Sequence, residues 1–264
     1  MFPPLTLSLK YLDYWLHSSS SNGHGIHSPF VFEFIEKVLN DKTAYPGYEE
    51  VELLRKKLLA DKTPVPLEDY GAGSKTGPGS RSVADITKHA AKSPKYGQLL
   101  FRIAQYYRPH YIIELGTSLG ISSAYLALAD RSSVMVTGEG NYAVASLAKN
   151  NFESLGLTNV RIITGNFDNT LPEMVSAIPH IDLAFIDANH RKKPTLAYFN
   201  ELLKKTTGSS VIIFDDIHWS GGMEDAWREI KEHPSVMLTI DLFFFGIIFF
   251  RPEFKVKQHF RIRF

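Results

Sequence analysis

Two apolar runs in this chain end in carboxylates. Val211-Ile-Ile-Phe214 leads into Asp215-Asp216, and Ile181-Asp-Leu-Ala-Phe-Ile186 leads into Asp187-Ala-Asn-His190. Adjacent carboxylates repel, and each is costly to desolvate unless something positive sits nearby. Asp215 and Asp216 are therefore either a loop cap or part of a site, and three carboxylates converging from two neighbouring runs favour the site. A second set of groups suits a polar ligand. Tyr111-Ile-Ile-Glu114 is followed by Leu-Gly-Thr-Ser-Leu-Gly120 and then Ile121-Ser122-Ser123. Gly116 and Gly120 permit a tight turn and close approach of a ligand to the backbone. A helix beginning near Ser122 offers free amides and a hydroxyl to a carboxylate. The spacing E-x-G-x-x-x-G differs from the G-x-G-x-x-G of a dinucleotide-binding turn. Glu139, in Gly138-Glu-Gly-Asn141, lies where an acid suits the two hydroxyls of a ribose, or caps a helix. Gly165-Asn-Phe-Asp168 adds a stacking ring, Phe167, and polar groups suited to an adenine.

These groups need a scaffold that brings strand ends together. From about residue 90 the pattern alternates regularly. Strands are expected at 111–114, 134–137, 160–164, 181–186 and 211–214, with helices at 96–107, 142–155, 171–177, 195–205 and 222–231 and a turn that becomes a helix over 116–129. Such alternation means βαβ units on a parallel sheet, whose ligands sit at the carboxyl ends of the strands. Two β-rich segments, 236–243 and 245–251, suggest an antiparallel hairpin at one edge, followed by a strand-like stretch at 259–264. The expected fold is thus α/β, Rossmann-like and doubly wound. It has a mostly parallel seven-stranded sheet, a C-terminal antiparallel hairpin and an N-terminal helical extension.

The domain division expected is 1–89 for the extension and 90–264 for the catalytic domain. Helices are expected within the extension at 11–16, 29–39 and 49–59, and Lys62-Thr-Pro-Val-Pro66 reads as a breaker. The glycine- and serine-rich stretch 69–82 reads as a connector, with a substrate lid as its functional alternative. It lacks the glycine spacing of a Walker loop. His24 and His27 read as surface or packing residues, or as part of such a lid.

Composition narrows the class. The 264 residues are 44% hydrophobic and 22% charged with net charge +1, so no global field argues for nucleic acid or an anionic membrane. There is no cysteine, hence neither disulfides nor thiol catalysis. The start, MFPPLTLSLKYLDYW, lacks a basic region followed by an apolar core, and the longest apolar run, Leu242–Phe250, is far short of a membrane span. A cytoplasmic protein with neither nucleic acid nor membrane as partner is expected.

Taken together, the motifs resemble the class I S-adenosylmethionine-dependent methyltransferases. More closely, they resemble the metal-dependent O-methyltransferase branch of catechol and caffeoyl-CoA O-methyltransferases. The resemblance covers about residues 93 to 252 and begins at Tyr96-Gly97-Gln98, similar to the family's Lys-Gly-Gln segment. It implies that Glu114, Gly116, Ser118, Gly120 and Ser122 form the cofactor loop, with Ser122 at the methionine carboxylate. It implies Glu139 at the ribose and Phe167 and Asp168 beside the adenine. Asp187 matches the first metal aspartate, which also borders the cofactor, and Asp215 matches the second. Asp216 stands where the family usually has asparagine, and still offers an oxygen to a hard cation such as Mg²⁺. His190 stands where catechol O-methyltransferase has its catalytic lysine, and a histidine can be a general base near neutral pH. Lys192 and Lys193 are rival bases or solvated lysines.

The activity implied is methyl transfer to a hydroxyl of a small aromatic diol held by the metal. A metal-independent methyltransferase acting on another oxygen or on nitrogen is the alternative. A nicotinamide-dependent oxidoreductase is disfavoured by the glycine spacing, a non-catalytic binding module by the intact constellation, and nucleic-acid methylation by the lack of a basic stripe. The aromatic tail, Leu242–Phe250, reads as core and edge strands, with a homodimer surface as its second reading.

Overall fold

A computed structural model describes residues 1–21, 23, 25–67 and 79–264. His24 and residues 69–78 of the glycine-rich stretch, with the lid reading attached to them, lie outside the described residues. The chain opens with helices α1 (Pro4–His17), α2 (Pro29–Phe34, continued by a π-helical turn at Ile35–Leu39) and α3 (Pro46–Ala60). An antiparallel pair, β1 (Pro64–Leu67) and β2 (Gly79–Ser82), precedes α4 (Val83–Ala90). Strands and helices then alternate: α5 (Pro94–Tyr107), β3 (Tyr111–Leu115), α6 (Ile121–Ala129), β4 (Val134–Glu139), α7 (Tyr142–Ser154), β5 (Val160–Thr164) and α8 (Phe167–Ser176). The series continues with β6 (Ile181–Ile186), α9 (Lys192–Leu203), β7 (Thr206–Asp215) and α10 (Gly221–Glu232). It closes with β8 (Leu238–Asp241), β9 (Phe245–Phe249) and β10 (Gln258–Arg261).

α1, α3 and α5 begin sooner than the apolar spacing predicts, whereas α2 begins at Pro29 as expected, and proline explains all four starts. α1, α2, α3 and α5 each carry proline in the first turn, where its fixed φ is helical and its missing N–H costs nothing. The expected breaker at Lys62–Pro66 is a correction: from Pro64 it is strand β1. A two-stranded ribbon tolerates proline because each strand has an edge with no partner.

The chain divides into two compact units, Lys42–Ile178 and Met1–Asp41 with Pro179–Phe264. In the first, β3, β4 and β5 run parallel in that order, with Ile113 opposite Val136 and Thr137 opposite Ile162. In the second the order is β10-β8-β9-β7-β6. There β6 and β7 are parallel with Ile186 opposite Phe214, while β9 lies antiparallel to both β7 and β8. This is the α/β, Rossmann-like, mostly parallel arrangement expected, hairpin included. Apart from the β1–β2 ribbon, the described residues carry eight strands, three in the first unit and five in the second, against seven expected. The additional one is β10, laid parallel to β8 with Phe260 opposite Ile240.

Val211 to Phe214 are all buried, as a strand covered on both faces requires. The aromatic tail is core as well: Leu242, Phe243, Phe245, Ile247, Ile248 and Phe249 are all buried, so it offers no exposed apolar edge. α1 attaches within its own unit through Tyr14, whose hydroxyl donates to the Ile262 carbonyl and whose ring lies 5.3 Å from that of Phe243. Lys10, on the same helix, donates to Glu224 of α10 at 2.9 Å.

Candidate active site

In the Lys42–Ile178 unit, the chain from β3 to α6 forms a cradle. Gly116 and Gly120 have φ of 104° and 83°, conformations that side chains rarely adopt. A Cβ on Gly120 would lie 2.5 Å from the Phe152 ring, so this position is closed to any other residue both by backbone and by space. Gly120 caps α6, and the free amides of that helix's first turn open beside Ser122. Ser118 is itself left-handed, with φ of 47°, and its N–H donates to Glu139 Oε2 at 2.8 Å. Asn141 N–H donates to the other oxygen, Oε1, at 2.9 Å. Burial raises the Glu139 pKa, and the amides of Asn141, Ser118 and Gly140 work against that rise. Each carboxylate oxygen keeps a second lone pair, which is what two ribose hydroxyls would need.

Glu114 does something different from its neighbours. It is fully buried, and its Oε2 accepts from Thr137 Oγ1 at 2.6 Å and from Ser123 Oγ. Thr117 and Thr137 hydroxyls pair at 2.6 Å. Glu114 thus ties the loop to β4 and α6. Thr117 and Thr137 are residues that sequence reasoning missed, because Thr137 inside β4 reads as ordinary β propensity and Thr117 as one more residue of the turn after β3. Phe167 begins α8, capped by Asn166 accepting from the Asp168 N–H at 2.9 Å. Its ring edge lies against Gly138, where a Cβ would come within 2.6 Å of it, while Asp168 is exposed.

The second group lies in the other unit, at the ends of β6 and β7. Asp187, His190 and Asp215 each present a ligand atom within 4.8 Å of the others. Asp215 is 2% exposed, at the last ladder position of β7, opposite Phe245. His190 Nε2 is 3.4 Å from Asp187 Oδ1, and its Nδ1 is buried with no hydrogen-bond partner among the described residues. Asn189 and His190, with φ of 66° and 35°, place the imidazole there through a turn of left-handed backbone, held by Asn189 Nδ2 donating to the Tyr198 hydroxyl at 3.0 Å. Such conformations cost on the order of 1–3 kcal/mol each and concentrate where function requires them. The Trp219 ring, another residue the sequence did not single out, is 6.4 Å from that of His190.

Asp216 was expected as the third oxygen of this group. It has φ of 53° and is not part of the close triplet, whereas His190, expected only as a base, is. The residues present nevertheless fit a divalent cation: two hard carboxylates and an imidazole converge, and the imidazole retains a buried nitrogen with no partner. Lys192 is paired with Glu229 at 2.5 Å and starts α9, which weakens it as a rival base.

Residues 113–217 match the family model described as a methyltransferase domain. A catechol O-methyltransferase of Niastella koreensis is 32% identical over 136 residues, 50% of this chain and 61% of that protein. The match thus spans less than two thirds of that relative's length. Among solved structures, the O-methyltransferase TomG of Streptomyces achromogenes, in complex with S-adenosylmethionine, is 23% identical with a TM-score of 0.54, over 61% of this chain and 82% of that one. An O-methyltransferase of Bacillus cereus in complex with S-adenosylhomocysteine is 22% identical with a TM-score of 0.56, over 83% and 97%. A methyltransferase of Podospora anserina is 15% identical with a TM-score of 0.58, over 95% and 97%. At those identities the structures speak for the fold alone. The strand ends that carry Glu114, Glu139, Asp187 and Asp215 all fall inside the segment, residues 113–217, that matches the methyltransferase family model.

Proposed function

We propose that this protein is an S-adenosylmethionine-dependent O-methyltransferase acting on one hydroxyl of a small catechol-like acceptor, assisted by Mg²⁺ or another divalent cation. The observation that carries the reading is the triplet Asp187, His190 and Asp215, gathered within 4.8 Å at strand ends inside the segment that matches the methyltransferase family model. The name of the Niastella relative supports the acceptor class.

In this reading residues 90–264 form the catalytic portion and 1–89 the extension. Gly116, Ser118 and Gly120 shape the cradle, and the amides of α6 with Ser122 take the methionine carboxylate. Glu139 accepts from the ribose hydroxyls, Phe167 and Asp168 flank the adenine, and Asp187 borders the cofactor as well as the metal. Asp187 and Asp215 hold the cation, with His190 or Asp216 beside them. A cation held there would lower the pKa of an acceptor hydroxyl. His190, or a water it orients, would take the hydroxyl proton, and the Asp187 carboxylate, 3.4 Å from His190 Nε2, would stabilise the imidazolium that results. Bound S-adenosylmethionine would supply the methyl group, which would pass from sulfur to the acceptor oxygen as the C–S bond breaks and leave S-adenosylhomocysteine. We place the protein in the cytoplasm; among the described residues no helix is long and apolar enough to cross a membrane.

The His190–Asp187 pair also supports a second reading, in which the same base works with no cation. Calorimetric titration with S-adenosylmethionine and S-adenosylhomocysteine, on the wild type and on Asp215→Asn, tests the first step. Saturable binding of both ligands to both proteins is expected. Absence of binding to the wild type overturns the methyltransferase reading.

A further inference from the structure

Helix α1 (Pro4–His17) is apolar on two opposite faces. One face is docked on its own unit: Tyr14 is buried, Leu7 is half-buried, and Lys10 meets Glu224. The other carries Leu5, Leu9, Leu12 and Leu16, between 52% and 74% exposed, with Trp15 beside them at 47%. Steps of four, three and four residues line these leucines up in one stripe, the a/d seam of a heptad. A helix that is hydrophobic all round is ordinarily buried all round. Here only one side is covered.

Five side chains at these exposures leave on the order of 600 Å² of apolar surface, taking about 200 Å² for a large side chain fully exposed. That is the upper end of what a monomer shows in one patch, about 300–600 Å². A standard interface takes about 800 Å² from each partner. The exposed residues Ser8, Asp13 and His17 on the same helix supply a polar rim that makes up the difference. The order of the stripe selects its occupant. A 4-3-4 spacing is the same read from either end, so a second copy laid antiparallel sets each Leu5 against the other copy's Leu16, and each Leu9 against Leu12. Such self-complementarity is what a two-fold interface requires. No ionised side chain lies on the seam, and Asp13 beside it pairs with His17 at 3.0 Å. Trp15 is ordered in advance: the Arg263 guanidinium lies 4.4 Å from its ring, and Arg263 Nε donates to its carbonyl at 2.7 Å. A helix built to lie on a membrane is instead rich in lysine and arginine on its polar face. α1 has one lysine, Lys10, and it is engaged on the docked side.

We propose that α1 is the contact helix of a homodimer, two copies pairing antiparallel about a two-fold axis midway between Leu9 and Leu12. The helix is fixed for that role at both ends. The Phe2 N–H donates to the Trp219 carbonyl at 2.8 Å, and the Tyr14 hydroxyl donates to the Ile262 carbonyl. The stripe shares no residue with the cofactor or cation sites, so the proposal stands apart from the methyl-transfer reading.

The test is analytical ultracentrifugation of the full chain across the micromolar range. A species of twice the 29.8 kDa chain mass is expected. The double variant Leu9→Glu/Leu12→Glu brings four like charges together at the axis and should raise the dimer dissociation constant about 100-fold or more. Cross-linking then reads the orientation, and it does not depend on the charged variant folding. The chain has no cysteine, so introduced thiols report alone. Leu5→Cys and Leu16→Cys, carrying tags of different size, are mixed and treated with a short bismaleimide. In an antiparallel pair the two copies of position 5 are eleven residues apart along the axis, about 16 Å. The cross-link expected therefore joins one variant to the other, and neither variant to itself. A monomer at every concentration overturns the proposal, as does a dimer that the charged variant leaves intact. Equal self-cross-linking of Leu5→Cys also overturns it. So does a monomer that sediments with phosphatidylserine vesicles, which would assign the stripe to a membrane.

Discussion

The cradle after β3 and the triplet at the ends of β6 and β7 solve opposite problems. In the cradle the chain anchors its carboxylates from within: both oxygens of Glu139 accept backbone amides, and Glu114 Oε2 accepts from Thr137 and Ser123. In the triplet it brings two carboxylates close to an imidazole whose Nδ1 has no hydrogen-bond partner among the described residues, on left-handed backbone. The first is pre-organised, so a ligand adds contacts to a finished surface. The second is an arrangement that a bound cation, or a proton taken up by His190, completes. Binding and turnover should therefore separate by mutation.

The largest effect is expected from Asp215→Asn. Losing one ligand should lower methyl transfer about 100-fold or more while leaving cofactor affinity within the scatter of calorimetry. A parallel loss of both would show that the two regions act as one. Gly120→Ala should do the reverse. The strained backbone and the collision with Phe152 are expected to cost about 2 kcal/mol or more in urea unfolding, and to weaken cofactor binding in whatever protein folds.

The unit that carries the triplet also has a fully satisfied polar group, and it serves as a control. Burial opposes protonation of His218, but hydrogen bonds and charge from Asp241 and Glu224 outweigh it and raise the pKa above 6.5. A raised folded pKa means stabilisation that is complete below pH 6.5 and fades as pH climbs through the raised value. His218→Gln should flatten that part of the stability–pH curve and cost about 1.5 kcal/mol at pH 6, read by denaturant midpoint. An unchanged slope would remove the clamp from the account. The smallest effect belongs to Asp216→Asn, expected to change turnover less than about threefold, since an amide oxygen remains and the residue stands outside the close triplet. A loss as large as that of Asp215→Asn would restore Asp216 as a full ligand.

What the sequence revealed, and what it hid, follows the same division. Asp187 and Asp215 were legible because apolar runs end there, and parallel pairing of Ile186 with Phe214 brings those ends level. The first five residues of β7, Thr-Thr-Gly-Ser-Ser, were not legible as strand: they carry no apolar pattern, yet Thr206 pairs with Ile181. The start of α8 was set by the Asn166 cap, a signal present in the sequence but masked by Pro172 within the helix. The exchange of Asp216 for His190 in the triplet rests on positive φ at Asn189, His190 and Asp216, which no spacing rule encodes for residues other than glycine. The His218 clamp draws in Lys10, which meets Glu224 across 214 residues, a closeness that only the folded chain supplies.

The central claim is tested most directly by methyl transfer itself. The protein is stripped of metal and given isotopically labelled S-adenosylmethionine and a catechol, first with EDTA and then with Mg²⁺ restored. The account predicts a labelled monomethyl ether that forms only after the cation is returned. Turnover indifferent to EDTA would keep the methyltransferase and move the triplet's role to the His190–Asp187 pair alone. No labelled ether under either condition, with the cofactor demonstrably bound, would contradict a catechol as the acceptor.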